Sequence, residues 1–422
     1  GQAGGMKRFR LPLLSFAAAA VLTVAACSPS QPPPTGPALT PAGPVDVRVG
    51  TGVTFSAGGF AGPVEWAVND VAGGAAATGT IAAGRYQAPT RVPLEPTVTV
   101  TATNETDPGE KASASVTITA PGTLYVLDKA VHVYGNLDTV GGNVAPDRSF
   151  TIAGTTSKFI GMTLAPALDM AFISTAFGTP RIFRVNNVST ATGEVTATVF
   201  STLTYDDPGG MAYDHTRDTL YVMLDGALAA YEGASTAPAN AEPTRLVAGP
   251  SLDVMFDTDD PRLALDVDAD RVFFSNAAAT LVGVYDNASQ IDGEVAPDRT
   301  ITVDGPTYFF WGMAYDASRD QLYLGDQKPG VGVYVMANAS AASGFVAPAR
   351  SIGGPAHPIV GASQVAYDVA NDRLVVIDAD GDSVKIYEKA STLDGDVAPS
   401  RAIGGTQVPL SYPFGGYLDP TQ

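Results

Sequence analysis

The chain has three histidines, the side chains that most often act as a general base at neutral pH. A serine nucleophile needs such a base within hydrogen-bond reach. His132 falls in a predicted strand and His215 in a predicted tight turn, so both are expected to be surface or hairpin residues. His357 lies in the loop 354–358, Gly-Pro-Ala-His-Pro, where a ligand could reach it. The sequence therefore predicts no catalytic residues, and His357 is kept as a candidate ligand contact.

Three alternating carboxylates, Asp378, Asp380 and Asp382, resemble the start of a calcium-binding loop. Such a loop needs a bidentate glutamate at its twelfth position, where this chain has Lys389. In the repeats described below, the place of Asp378 is taken by other residues that favour hairpin turns, namely Asp128, Asp225, Asn276 and Asp326. A structural turn is the favoured interpretation. Calcium stays open as the alternative, and no other cofactor is expected.

Aromatic and acidic side chains form a third candidate group in segments that break the repeat. Aromatic residues with acids around a concave surface commonly build binding sites. The members of this group, which includes the histidine already named, are Tyr205, Asp206, Asp257, Tyr308, Phe309, Trp311 and His357. Whether they meet depends on the elements that carry them.

The elements come from a repeat that fills the chain from 121 to 422. A Val-Ala-Pro motif recurs six times, 46 to 54 residues apart, with strong copies starting at Val144, Val295, Val346 and Val397 and weaker copies at Val195 and Ala241. A second marker, such as 210–214, Gly-Met-Ala-Tyr-Asp, precedes a strand pattern in each unit, and two further strands follow, the last of them the Val-Ala-Pro strand. Four strands per repeat are typical of propeller blades.

The two ends of this region complement each other. The first unit starts at Thr123 without its first strand, and residues 415–419, Gly-Gly-Tyr-Leu-Asp, supply it. The segment 376–387 resembles the blades of NHL-type and YncE-like propellers. The resemblance implies a six-bladed β-propeller closed by the C-terminal strand, and it implies little about function because such propellers include lyases, lactonases and binding modules.

The loops before the innermost strands of a propeller gather at one mouth of its channel. All seven candidate residues fall in or beside such loops, which predicts a binding surface there. The alternative is that Phe310 and Trp311 plug the channel and pack between blades. The calcium-dependent lactonases of this class use a glutamate and asparagines at the channel, a set that has no counterpart on the predicted inner strands.

Short alternating strands separated by Gly, Pro, Asn and Asp fill residues 45–120 and predict a small β-sandwich. The segments 66–69, 79–81, 84–89 and 98–103 resemble the immunoglobulin-like domains of bacterial surface proteins. This resemblance predicts an Ig-like domain before the propeller. The whole chain is therefore expected to be all-β.

The N-terminus predicts export and lipid attachment. Residues 6–26 have a basic start and an apolar run too short to span a bilayer comfortably, as in a signal peptide. The ending Val-Ala-Ala-Cys resembles the lipobox of bacterial lipoproteins, which implies diacylglyceryl and palmitate modification at Cys27. Residues 27–44 are rich in proline and are predicted to be an extended tether. The localisation expected is membrane-anchored and extracytoplasmic, in the outer membrane or at its periplasmic face, or at the cell surface.

The formal net charge of −19 argues against nucleic acid as a partner. The sequence thus predicts a non-catalytic, lipid-anchored protein whose propeller binds a protein or a glycan. The alternatives are a calcium-dependent lactonase or lyase and a purely structural envelope protein.

Overall fold

The computed structural model describes residues 36–175, 181–203, 208–224, 226–249, 262–276, 281–305, 309–328 and 330–422. Strands dominate these residues, and helical structure among them is limited to short 3-10 turns, at Pro166–Leu168, Val188–Thr190, Ala288–Gln290 and Ala390–Thr392. The prediction of an all-β chain is confirmed for this part. No helix within it is long and apolar enough to cross a membrane.

An N-terminal domain contains eleven strands, β1 (Ala38–Thr40), β2 (Val45–Arg48), β3 (Gly52–Thr54), β4 (Ser56–Gly58), β5 (Val64–Val68), β6 (Val71–Ala72), β7 (Gly74–Ala75), β8 (Gly79–Ala82), β9 (Arg85–Gln87), β10 (Thr97–Asn104) and β11 (Lys111–Thr119). One sheet has the order β2-β11-β10-β5-β6, a second has the order β3-β9-β8-β7, and β1 pairs with β4. Strand β2 is parallel to β11. Both sheets contribute to one apolar core, which includes Val68, Tyr86 and Val116.

Strand β1 lies inside the segment 27–44, which the sequence predicted to be a tether. Leu39 of this strand is only 3% exposed and belongs to the core of the N-terminal domain. The tether prediction is therefore wrong from Ala38 onward. A three-residue strand is too short to show an alternating pattern, so its pairing with β4 could not be read from the chain.

The second part of the chain contains the strands β12 (Thr123–Leu127), β13 (Val131–Tyr134), β14 (Arg148–Ile152), β15 (Phe159–Ala165), β16 (Met170–Thr175), β17 (Arg181–Asn186), β18 (Gly193–Val195), β19 (Thr198–Thr202), β20 (Met211–Asp214), β21 (Thr219–Leu224), β22 (Ala227–Glu232), β23 (Arg245–Val247), β24 (Leu263–Asp266), β25 (Arg271–Asn276), β26 (Leu281–Asp286), β27 (Arg299–Val303), β28 (Phe310–Asp316), β29 (Gln321–Asp326), β30 (Val333–Ala337), β31 (Gly344–Val346), β32 (Arg350–Ile352), β33 (Ala362–Asp368), β34 (Arg373–Asp378), β35 (Ser383–Glu388), β36 (Arg401–Ile403) and β37 (Gly415–Asp419).

In the described residues these strands form six sheets of four antiparallel strands. In order from the first strand outward they are sheet 1 (β37-β12-β13-β14), sheet 2 (β15-β16-β17-β19), sheet 3 (β20-β21-β22-β23), sheet 4 (β24-β25-β26-β27), sheet 5 (β28-β29-β30-β32) and sheet 6 (β33-β34-β35-β36). Strands β18 and β31 add in parallel to the outer edges of sheets 1 and 4. Each added strand comes from the sheet that follows in the chain.

The six sheets form a closed ring. The first strand of each sheet contacts the first strand of the next, and β33 contacts β37 at the junction of sheets 6 and 1. Each neighbouring pair of sheets also encloses an apolar cluster. The C-terminal strand β37 pairs antiparallel with β12, with Tyr125 opposite Tyr417, as the sequence predicted. This arrangement is β-propeller-like.

The Val-Ala-Pro motif does not form the outer strand, which corrects the prediction. Only its first residue lies in a strand in two copies, Val195 at the end of β18 and Val346 at the end of β31. The outer strand of sheets 1, 4, 5 and 6 begins at the arginine that follows the motif, because proline has no N–H to donate to a ladder. Several of these arginines, and Arg245 at the matching place in sheet 3, donate to carbonyl groups in the next sheet: Arg148 to Ala191, Arg245 to Ala288 and Ile291, Arg350 to Ala390 and Leu393, and Arg401 to Asp138. The arginine after the motif therefore joins neighbouring sheets.

The hairpin between the first and second strands of a sheet is also tied to the loop after its third strand. A carboxylate at the end of each of five such hairpins accepts bonds from both the amide and the hydroxyl of a serine in that loop. These turn carboxylates and their serines are Asp169 with Ser189, Asp218 with Ser235, Asp270 with Ser289, Asp320 with Ser340, and Asp372 with Ser391. These aspartates have a structural role in the hairpin.

The N-terminal domain contacts the same end of the ring as these hairpins. Arg91 forms ion pairs with Asp419 at 2.9 Å and with Asp169 at 3.3 Å. The amide of Val92 donates to the carbonyl of Thr421 at 2.8 Å. The end of the ring that carries the hairpins is therefore covered in part, and the opposite end is the mouth where the sequence placed the candidate residues.

Candidate functional site

The described part of the mouth is formed by loops that precede first strands and by turns that follow second strands. Of the seven predicted contacts, Phe309, Trp311 and His357 lie in the described residues. The other four, Tyr205, Asp206, Asp257 and Tyr308, lie outside them, so their role stays a prediction. The described part of the mouth therefore belongs to sheets 1, 2, 5 and 6.

Phe309 stands on a short loop held by Asp326. The Phe309 side chain is 37% exposed, and its amide donates to Oδ1 of Asp326 at 2.9 Å. The ammonium of Lys328 lies 4.6 Å from the centre of the Phe309 ring, a cation–π distance. Burial raises the pKa of Asp326, although the amides of Phe309 and Lys328 and the charge of Lys328 oppose this shift. Phe309 is therefore an exposed aromatic ring on a loop that hydrogen bonds to Asp326 hold in place.

A pair of aromatic side chains lies beside Phe309, on the segment that leads into β37. The rings of Tyr412 and Phe414 meet edge to face at 5.1 Å. The ammonium of Lys158 lies 5.1 Å from the Phe414 ring and donates to the carbonyl of Ser411 at 3.0 Å. It also pairs with the buried Asp128 at 3.4 Å. Lys158 thus links sheet 2 to sheet 1 at the mouth.

Gln327 joins the two aromatic groups into one cluster. Its amide nitrogen donates to the Tyr412 hydroxyl at 2.8 Å, and its backbone amide donates to the carbonyl of Phe309 at 2.9 Å. We call Lys158, Phe309, Gln327, Lys328, Tyr412 and Phe414 the mouth cluster. Gln327 and Lys328 were missed from the sequence, although both follow a strand at a point where the repeats differ.

Trp311 and its neighbour Phe310 have different environments. Phe310 is fully buried and packs between sheets 4 and 5, as the channel-plug alternative expected for it. Trp311 is only partly buried, and its carbonyl accepts a bond from Nε of Arg262 at 2.7 Å. The role of Trp311 as a ligand contact stays a prediction.

Arg262 crosses the channel and was missed by the sequence analysis. It is 2% exposed, and its guanidinium also donates to the carbonyls of Phe414 at 3.1 Å and Ile160 at 3.4 Å. It thus connects sheet 4 to sheets 5, 1 and 2. The signal was an arginine at a repeat position that carries glycine at Gly210 and Gly312.

His357 is held by Asp396, a residue of the loop before β36. The Asp396 carboxylate accepts bonds from the amides of Ala356 and His357 and lies 3.1 Å from Nδ1 of His357. The Ala356 amide, the His357 amide and the His357 ring hold the pKa of Asp396 below its ordinary value. No hydrogen bond or ring contact among the described residues connects His357 to the mouth cluster.

Two of the three carboxylates considered for calcium, Asp378 and Asp382, bond to different partners, and Asp380 forms no hydrogen bond or ion pair with the described residues. Asp378 is fully buried, accepts bonds from the amides of Val360 and Gly361 at 3.0 and 2.8 Å, and pairs with Lys385. Asp382 accepts the amide of Tyr412 at 2.6 Å. Within the described residues, no group of three His, Cys, Asp or Glu side chains is placed to hold a metal ion. Asp378 and Asp382 therefore support the loops of the mouth.

Comparisons with known proteins place the chain in no family. No protein-family model matches it, and no curated protein matches it. Among solved structures it is similar to a chain in a crystal structure of a nidogen/laminin complex, with 13% sequence identity and a TM-score of 0.45. The match covers 70% of this chain and 97% of the other.

Proposed function

We propose that this chain is a non-catalytic, lipid-anchored envelope protein whose six-bladed β-propeller binds a protein or a glycan at its mouth. The observation that carries the binding function is the mouth cluster. It combines a ring that is 37% exposed, two further aromatic rings and two lysines, all in loops of the ring of sheets.

The mouth cluster breaks the repeat, and this separates it from residues that maintain the fold. The turn carboxylates recur in five hairpins and the arginines after Val-Ala-Pro recur in several sheets, because each sheet needs them. Phe309, Lys328 and Tyr412 occur once each. Loop residues that a rigid scaffold does not need for its own fold are available for binding.

Two other parts of the proposal concern architecture. The six sheets and their closed contacts support six blades, and the two sheets of the N-terminal domain support an Ig-like sandwich. The lipid anchor rests on the sequence around Cys27, which lies outside the described residues. With that anchor, the protein would be extracytoplasmic and held at a membrane.

The test of binding compares two exposed phenylalanines in the purified full chain. Arrays of bacterial polysaccharides and of envelope-protein peptides serve as probes. For a probe that binds, we expect Phe309→Ala to weaken affinity by about 2 kcal/mol, roughly thirty-fold, as for a central aromatic contact.

Phe345→Ala is the matched control, because Phe345 is 83% exposed on β31 at an outer edge of the ring. It should leave the affinity unchanged. Equal effects of the two substitutions on every probe would show that the mouth cluster is not the binding surface.

A further inference from the structure

A cleft of about 760 Å³ lies between the N-terminal domain and the hairpins of sheets 2 and 3. Leu94 from the N-terminal domain and Leu168 from sheet 2 both line it, although they are 73% and 51% exposed. Single exposed leucines are ordinary, whereas two that line one cavity form a joined apolar surface. The volume and the position between domains are typical of ligand sites. Tyr213 and Asp218 also line the cleft.

In the described ranges, two of the turn carboxylates form ion pairs with arginine, and Asp218 does not. Asp270 pairs with Arg217 at 3.6 Å, and Asp169 pairs with Arg91. The other two, Asp320 and Asp372, form no ion pair among the described residues, but the charges of Arg271 and Arg319 contribute to lowering their pKa. Asp218 accepts bonds from the Tyr213 hydroxyl and from Ser235, but no lysine or arginine in the described part of the chain forms an ion pair with it.

A comparison with the next junction explains why Asp218 lacks the cation that Asp270 has. Arg217 precedes a turn carboxylate in sheet 3 and reaches the turn carboxylate of sheet 4, Asp270. The equivalent residue of sheet 2, which would face Asp218, is Leu168. An uncharged side chain at this position leaves the Asp218 carboxylate without a counterion beside an apolar cleft.

The junction of sheets 1 and 2 shows how a cation from outside the ring takes such a position. In sheet 1 the equivalent residue is Gln422, and Arg91 of the N-terminal domain supplies the charge to Asp169 instead. Arg91 lies in the loop 89–93, Pro-Thr-Arg-Val-Pro, whose Val92 amide also donates to Thr421. A basic residue in a segment with apolar neighbours, here Pro89, Val92 and Pro93, therefore fits this end of the ring.

We infer that the cleft binds a segment of a partner protein in which an arginine or lysine is flanked by apolar residues. The cation pairs with Asp218, and the apolar residues pack against Leu94 and Leu168. The net charge of −19 disfavours a second copy of this chain as the partner. The site is distinct from the mouth cluster, so it does not depend on the proposed function.

The experiment uses the full chain and a synthetic peptide, acetyl-Pro-Thr-Arg-Val-Pro-Leu-amide, which copies residues 89–94. Titration calorimetry should show saturable binding that weakens with salt. Asp218→Asn should reduce the affinity about ten-fold or more, because a hydrogen-bonded charge pair is lost. A peptide with citrulline in place of arginine should bind equally weakly.

Asp320→Asn is the matched control. Asp320 accepts the same kinds of bonds, from Tyr315 and Ser340, and it does not line the cleft. Both aspartate variants should lose similar stability, whereas only Asp218→Asn should lose peptide affinity. Leu168→Arg places at this position the arginine that sheets 3 and 5 carry there, and it should abolish peptide binding without lowering the melting temperature.

Several results would overturn the inference. They are the absence of saturable binding up to roughly 1 mM peptide, equal affinity for the citrulline peptide, and equal affinity losses in the two aspartate variants. Sedimentation of the chain as a dimer that Asp218→Asn dissociates would instead identify a second copy as the occupant. The Phe309 variant should bind the peptide normally, which separates this test from that of the mouth.

Discussion

At the scale of single residues, the same side-chain type has different roles according to what surrounds it. Asp378 lies in a buried pair with Lys385, and Asp396 lies on the surface beside His357. The turn carboxylates are intermediate, since they are partly buried and bonded to serine. At two of them, Asp320 and Asp372, hydrogen bonds hold the pKa below its ordinary value, and this makes a pH-dependent contribution to stability.

Asp372 gives a prediction with a defined sign. Burial alone would raise the pKa of Asp372, but bonds from Tyr367 and Ser391 outweigh burial and hold the pKa below its ordinary value. Its ionised form therefore stabilises the fold above the unfolded pKa of about 4, and this contribution is lost as the pH falls. We expect Asp372→Asn to lower the free energy of unfolding by about 1 to 2 kcal/mol at pH 7 and by less near pH 3.

Urea unfolding across this pH range measures the difference. Asp46→Asn is the control, because Asp46 is exposed on β2 and should behave like the unmodified chain. A loss for Asp372→Asn that is equally large at pH 3 and pH 7 would show that the hydrogen bonds do not depend on ionisation.

At the scale of elements, the ring depends on one strand supplied from the far end of the chain. Strand β37 pairs with β12 over five residues and contacts β15 and β33 of the two neighbouring sheets. Without it, sheet 1 would lose its first strand, and the backbone groups of β12 would form an exposed edge. Exposed edges of this kind pair with other chains and cause aggregation.

Deletion of residues 411–422 should therefore yield insoluble protein or lower the melting temperature by many degrees. Gly416→Val is a milder test, because a Cβ at Gly416 would lie 2.2 Å from the carbonyl oxygen of Tyr125. Gly43→Val, where a Cβ meets nothing within 4 Å, is the control. A deletion variant with an unchanged melting curve would contradict closure by β37.

At the scale of the whole molecule, the mouth and the N-terminal domain lie at opposite ends of the ring. Strand β37 runs from the aromatic residues Tyr412 and Phe414 to Asp419, which pairs with Arg91 of the N-terminal domain. If the chain is anchored at Cys27 as proposed, the N-terminal domain lies between the anchor and the ring. The described part of the mouth then faces away from that domain.

The proposed anchor predicts that Cys27→Ala releases the protein from the membrane, because Cys27 is the only cysteine of the chain. Detergent phase partitioning of cells that express the full chain measures this change. Ser28→Ala keeps the cysteine and should stay in the detergent phase. Recovery of the Cys27→Ala variant entirely in the detergent phase would refute attachment through this residue.

Much of the architecture could be predicted from the sequence because it is periodic. The spacing of the Val-Ala-Pro motif and of markers such as 210–214 identified the repeat, and residues 415–419 were identified as the missing strand of the first unit. Turn residues and alternating strands act over a few positions, so their pattern survives in the linear chain. Comparing repeats also singled out Phe309, which is exposed, whereas Asp378 bonds to the amides of Val360 and Gly361 rather than to its own hairpin.

Other features depended on contacts that have no period along the chain. Leu39 is buried because β1 pairs with β4, and Arg262 reaches carbonyls up to 152 positions away because the ring brings first strands together around one axis. Phe310 is buried and Trp311 is partly exposed because β28 has a bulge at this point. No spacing rule indicates such a bulge. By itself the sequence determined which strands form and how often they recur. The tertiary structure decided which side chains meet across the ring, because those contacts join residues that are far apart in the chain.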